Sequence, residues 1–169
     1  MNGNIVVQSV FGKGSKFTVS IDQRIVEHPT IKLEEQETYD KVKVNDKLVL
    51  VVDDNKINLK VAERLLETYG IKTECVESGF ICIDNLKNGK KYDLILMDDM
   101  MPRMSGVETL KKIKSEIKDF NIPVIALTAN ALTGMKEKYI SDGFDDYLAK
   151  PINKDQLNRV INEYLNTEG

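Results

Sequence analysis

The chain has 169 residues, 41% of them apolar and 30% charged, with a formal net charge of −3. That length holds one ordinary globular domain with something added. No apolar run approaches the roughly 20 residues that span a bilayer, and no basic-then-apolar leader opens the sequence, so it reads as cytoplasmic and free of membrane contact. The net charge is local: residues 22–46 carry seven acids and four bases, and the rest balances at twenty of each. Such a surface is a poor platform for phosphate backbones, which argues against nucleic-acid binding.

Residues 1–21 read as a β-hairpin. Ile5 and Val7 alternate with polar neighbours, Gly12-Lys13-Gly14 supplies the turn, and Phe17, Val19 and Ile21 alternate again. A lone two-stranded hairpin is marginal in water, so this piece belongs to something larger. Residues 22–46 read as a linker, with Pro29, the acids Glu34, Glu35 and Glu37, and few periodic apolar positions. His28, the single histidine, falls here as a solvated residue, because nothing around it has the helical pattern a phosphoaccepting histidine sits on.

From Lys47 the pattern alternates strand and helix. Leu48–Val52 is an unbroken aliphatic run ending in Asp53 and Asp54, as expected of a strand buried on both faces. Asn55 can cap a helix running to Tyr69, with Ile57, Val61, Leu65 and Tyr69 on one stripe and Gly70 ending it. A short strand over 72–76 precedes a helix over 79–88 that presents Ile83 and Leu86. Further strands are expected at 94–97, 123–127 and 147–149, and further helices at 105–115, 131–141 and 154–166. Cys75 and Cys82 lack metal-ligand or CxxC spacing and read as small buried hydrophobes. Five strands alternating with five helices predict an α/β fold, a parallel sheet covered on both faces. For a domain of this size the flavodoxin-like strand order 2-1-3-4-5 leads, with its crevice between the first and third strands.

The carboxyl ends of those strands carry the chemistry. They supply Asp53 and Asp54, then Asp98, then Thr128, then Lys150 before Pro151. On one rim, the acids can hold Mg²⁺ in an oxygen cage and the lysine can neutralise added negative charge. The hydroxyl can hydrogen-bond an incoming phosphoryl oxygen, while one carboxylate serves as nucleophile.

Residues 47–169 resemble the receiver domain of two-component signalling. The resemblance rests on Val51-Val52-Asp53-Asp54-Asn55, on Leu96-Met97-Asp98 with Met101-Pro102, Met104 and Gly106, on Ala126-Leu127-Thr128-Ala129, and on Tyr147-Leu148-Ala149-Lys150-Pro151. It implies that Asp98 is the phosphoacceptor and that Asp53, Asp54 and Asp98 bind Mg²⁺, with the backbone carbonyl of Met100 completing the ligands. It also implies that Thr128 is the switch hydroxyl, Tyr147 the switch aromatic that turns from exposed to buried, and Lys150 the counter-charge before a cis Lys-Pro bond. Asp99 competes with Asp98 for the acceptor role. The spacing to Met101-Pro102 selects Asp98, and the alternation of strand side chains lets only one of the two face the crevice. Met100 and Asn130 stand where the family tunes water access, and an apolar Met100 implies a phosphoryl lifetime of minutes or longer.

The hairpin resembles the last two strands of a histidine-kinase ATP-binding domain, through Asn2-Gly3-Asn4 and the Gly12-x-Gly14-Ser15-x-Phe17-x-Val19 pattern; that family's nucleotide-contacting Asn and Gly boxes are absent here. Kinase-like ending, acidic linker and receiver together resemble a hybrid histidine kinase. The implied partners are its own kinase core and a histidine-phosphotransfer domain. The alternatives are a stand-alone response regulator acting by dimerisation, favoured less by a chain that stops at Gly169, and a Mg²⁺-dependent aspartyl phosphatase. The last would want a second acid two residues after the nucleophile, where Met100 stands.

Overall fold

The computed structural model describes residues 3–21, 44, 46–129 and 135–166. The chain divides into two units, Met1–Glu37 and Thr38–Gly169. In the first, β1 (Gly3–Val10) and β2 (Gly14–Ile21) pair antiparallel, with Val10 opposite Gly14. The turn needs left-handed backbone at Gly12 (φ 76°) and Gly14 (φ 103°), which glycine adopts without steric cost. Every residue of both strands is exposed, as a two-stranded ribbon without a core must be. His28 and most of the expected linker lie outside the described residues.

The second unit runs β3 (Leu48–Val52), α1 (Lys56–Glu67), β4 (Lys72–Val76), α2 (Gly79–Lys87), β5 (Leu94–Asp98), α3 (Gly106–Glu116), β6 (Val124–Thr128), α4 (Met135–Ser141), β7 (Asp146–Ala149) and α5 (Lys154–Tyr164). Its five strands are all parallel, in the order β4-β3-β5-β6-β7 expected from the alternating pattern. The expected start of α4, residues 131–134, lies outside the described residues.

The pleat sorts the aliphatic strands between two cores. Val49 and Val51 of β3, Leu94 and Leu96 of β5, and Ile125 and Leu127 of β6 meet Leu59, Ala62 and Leu66 of α1 and Leu157, Val160 and Ile161 of α5. On the other face, Leu50, Val52, Ile95, Met97 and Ala126 meet Cys82 and Ile83 of α2, Leu110 and Ile113 of α3 and Tyr139 of α4. Strands apolar at every position are explained by burial on both sides. Val44, inside the expected linker, already belongs to this packing: it is buried in the α1/α5 core and its N–H donates to the Tyr69 carbonyl at 3.1 Å.

Two packing expectations are corrected. The stripe expected of α1 splits: Ile57 is 72% and Val61 45% exposed, whereas Leu65 packs against the core and Tyr69 is buried in it, together with Leu59, Ala62 and Leu66. Both sets recur at helical spacing, and polar contacts accompany the choice between them. Asn55 caps the helix, and the Asn58 amide reaches back to Asp53, which turns the Asn58–Leu59–Ala62 side toward the sheet. Cys82 is fully buried, but Cys75 is only half-buried because β4 is an edge strand.

α3 starts against the end of β5, and Gly106 permits it. A Cβ there would stand 2.4 Å from the Asp98 carbonyl oxygen and 3.1 Å from Asp99 Cα, both fixed backbone atoms. Gly106→Ala is therefore expected to cost ~1–3 kcal/mol through overpacking, read as a lowered urea midpoint with unchanged slope. An unaltered midpoint would show that α3 can back away freely.

Candidate functional site

Asp53 follows β3 directly and is fully buried. Its carboxylate is saturated with donors: Asn55 N–H at 2.8 Å to Oδ1, the Asn58 amide at 3.1 Å to each oxygen, and Lys150 Nζ at 2.7 Å to Oδ2. Asp98 ends β5 and is 5% exposed; it accepts the Met100 N–H at 3.2 Å and the same Lys150 ammonium at 2.8 Å. Lys150 reaches both acids from the end of β7, ahead of a cis bond to Pro151. Asp54 is exposed at the rim. One carboxylate oxygen from each of Asp53, Asp54 and Asp98 lies within 4.8 Å of the others.

The electrostatics follow from burial. Desolvation lifts the Asp98 carboxyl above its ordinary value, against the hydrogen bond and charge of Lys150, with the neighbouring Asp53 charge adding to the rise. For Lys150, burial acts to lower the pKa, but the hydrogen bonds and charges of Asp53 and Asp98 outweigh it and the ammonium is held above its usual value. Three carboxylates against one ammonium leave a formal −2. A divalent cation would cancel that charge, and an all-oxygen set suits a hard one.

Thr128 closes β6 and is 4% exposed. Tyr139 of α4 donates its hydroxyl to Asp99 Oδ2 at 2.9 Å. Asp98 and Asp99 thus point apart, one toward Lys150 and one toward α4, as strand alternation requires. Tyr147 is half-buried and stacked on Tyr139, ring centroids 6.1 Å apart and planes 19° from parallel, rather than exposed. The Met100 side chain is 77% exposed at the rim. Asn130 lies outside the described residues.

Asn58 and Tyr139 are absent from the sequence-derived set. An asparagine three residues past a helix cap is a faint signal for the first. For the second, the only hint is that a buried tyrosine hydroxyl needs a partner.

Lys150 carries two buried acids at once, so its loss should be felt throughout the sheet end. Lys150→Met in metal-free buffer is expected to destabilise the fold by ~2–4 kcal/mol, toward the cost of orphaning a buried charge. Adding Asp98→Asn should restore part of that loss. A chemical-denaturation double-mutant cycle reads the coupling, and strict additivity would contradict a shared cation.

Comparison with known proteins agrees with this geometry. The family model for the response regulator receiver domain matches residues 49–162. "Probable histidine kinase 4" of Oryza sativa subsp. japonica is 37% identical over 139 residues, covering 70% of this chain and 14% of the relative. The signal transduction histidine-protein kinase BarA of Escherichia coli K12 is 40% identical over 116 residues, covering 69% and 12%. The chain therefore spans only about one-seventh or less of these curated relatives. Among solved structures, the receiver domain of a sensor histidine kinase from Pseudomonas aeruginosa, with magnesium coordinated in its active-site cleft, superposes with TM-score 0.63 at 33% identity, covering 72% of this chain and 98% of that one. A Saccharomyces cerevisiae response-regulator receiver, solved in complex with a histidine phosphotransfer protein, gives TM-score 0.63 at 28% identity, covering 72% and 90%. With its sheet order, its acid–lysine cluster and this match over most of its length, the chain belongs to the response regulator receiver domain family.

Proposed function

We propose that this chain is a phosphorelay receiver in which Asp98 accepts a phosphoryl group from a phosphohistidine. The observation that carries the reading is the Lys150 ammonium held 2.8 Å from Asp98 and 2.7 Å from Asp53, at a cluster where Asp54 adds a third acid. An Asp98 carboxylate oxygen attacks phosphorus in line. The P–N bond breaks, and its electron pair stays on the departing imidazole. Charge then grows on the equatorial oxygens, where Lys150 and the Thr128 hydroxyl can meet it. Asp53, Asp54, Asp98 and the Met100 carbonyl would hold Mg²⁺, which when bound supplies further neutralisation of the phosphoryl oxygens.

Phosphorylation adds about −1.5 to −2 charge at the crevice. Thr128 turning toward it would unseat the contacts of Tyr147, a two-state element biased by a local charge. The relatives being sensor kinases favours a hybrid kinase as parent, with its kinase core in cis as donor and a histidine-phosphotransfer domain as acceptor. The hairpin Gly3–Ile21 would then be the end of that kinase's ATP-binding domain. The aspartyl-phosphatase reading gains nothing here, because Met100 offers no proton where that chemistry needs an acid.

Incubation with Mg²⁺ and acetyl phosphate should add one phosphoryl group to the wild type, read by intact mass, and none to Asp98→Ala. Equal modification of both proteins, or of neither, would overturn the assignment of Asp98.

A further inference from the structure

A carboxylate offers about four lone-pair positions, and those of Asp53 are all engaged. Oδ1 accepts the Asn55 N–H at 2.8 Å and the Asn58 amide at 3.1 Å. Oδ2 accepts the same amide at 3.1 Å and Lys150 Nζ at 2.7 Å. A carboxylate only accepts, so it is the amide nitrogen of Asn58 that faces it. Asn58 stands half-buried in the first turn of α1, and its amide bridges both oxygens of an acid that is fully buried. Among the described residues, Asn58 and Lys150 are the two donors that reach Oδ2.

Of these two, Lys150 has a second task. Its ammonium is shared with Asp98 at 2.8 Å. A phosphoryl group on Asp98 carries its negative oxygens beyond the carboxylate, and an ammonium that follows them loosens its hold on Asp53 Oδ2. The Asn55 N–H cannot take over, because it is spent on Oδ1. We propose that Asn58 is a positioning residue whose amide keeps the Asp53 carboxylate in place while Lys150 turns to the phosphoryl group. The proposal rests on the reading of Asp98 as phosphoacceptor and adds to it a residue outside the acid–lysine cluster. Hydrogen-bond partners of metal-binding carboxylates are commonly worth 10- to 100-fold in affinity. A neutral amide, one donor among several, belongs at the lower end of that range.

Asn58→Leu keeps roughly the shape of the side chain and removes the donor. At saturating Mg²⁺, beryllofluoride as the phosphoryl mimic, followed by fluorine NMR, is expected to bind the variant about tenfold more weakly than wild type. Mg²⁺ alone, titrated without the mimic, should lose no more than about threefold, because Lys150 then still holds Oδ2. Asn58→Gln should recover most of the beryllofluoride affinity: it keeps the amide, and a cavity of about 90 Å³ lined by Asp53, Asn58, Val61, Lys150 and Ile152 leaves room for one more methylene. Thermal melts in metal-free buffer establish that each variant is folded. If Asn58→Leu is not, Asn58→Ala carries the same comparison. Unchanged beryllofluoride affinity in the folded donorless variant overturns the role of Asn58. So does an equal loss for Mg²⁺ and beryllofluoride, or a Gln variant no better than Leu, since either marks a general role in seating α1. All three outcomes leave Asp98 as acceptor. Failure of the wild type itself to bind beryllofluoride overturns the phosphoacceptor reading, and the role of Asn58 falls with it.

Discussion

Two buried carboxylates cannot share one end of a sheet unless something positive stands between them. Here that is the Lys150 ammonium, bonded to Asp53 and Asp98 at once. Removing the charge of a carboxylate from water costs several kcal/mol even after relaxation, and a single cation within hydrogen-bond reach of both partly repays it. The requirement ties β3, β5 and β7 together at their carboxyl ends, through three residues that lie 45 or more positions apart in sequence. It also explains why the cluster remains acidic: one ammonium against three carboxylates leaves negative charge facing solvent at Asp54. A site built this way is stable enough to fold and still unbalanced enough to take a divalent cation and, through it, an anionic group.

Most of the α/β unit was legible in the sequence because its strands are short, aliphatic and bounded by charge. Leu48–Val52, Leu94–Asp98 and Val124–Thr128 are buried at nearly every position, and a period-free apolar run allows little else. The helix starts have a local cause: Asn55, the one cap read from the sequence, and Ser78, Ser105 and Asn153, found in the structure, each accept a backbone N–H. Asp53, Asp98, Thr128 and Lys150 followed from the parallel topology, since each closes or follows a strand and all such ends share one rim.

What the sequence concealed lies in side-chain direction. α1 carries apolar residues around more of its circumference than its buried face, and the reach of Asn58 to Asp53 goes with Leu59, Ala62 and Leu66 facing inward while Ile57 and Val61 stay exposed. Periodicity counts residues; it does not know where a buried carboxylate waits for donors. Tyr139 was concealed for a related reason. In the pattern it is one more apolar position of α4, and its meaning comes from an oxygen that finds Asp99 forty residues earlier.

The pair Asp98–Asp99 shows how a strand can serve two layers at once. The pleat sends one carboxylate to the crevice and the next to the helix layer, so two adjacent residues address Lys150 and α4 respectively. On α4, Tyr139 is fully buried and packed against Phe144 and Tyr147, and its hydroxyl bonds the carboxylate next to the acceptor. A new charge on Asp98 therefore arises one residue from the carboxylate that this helix holds, so the sheet end and the helix layer share one electrostatic neighbourhood.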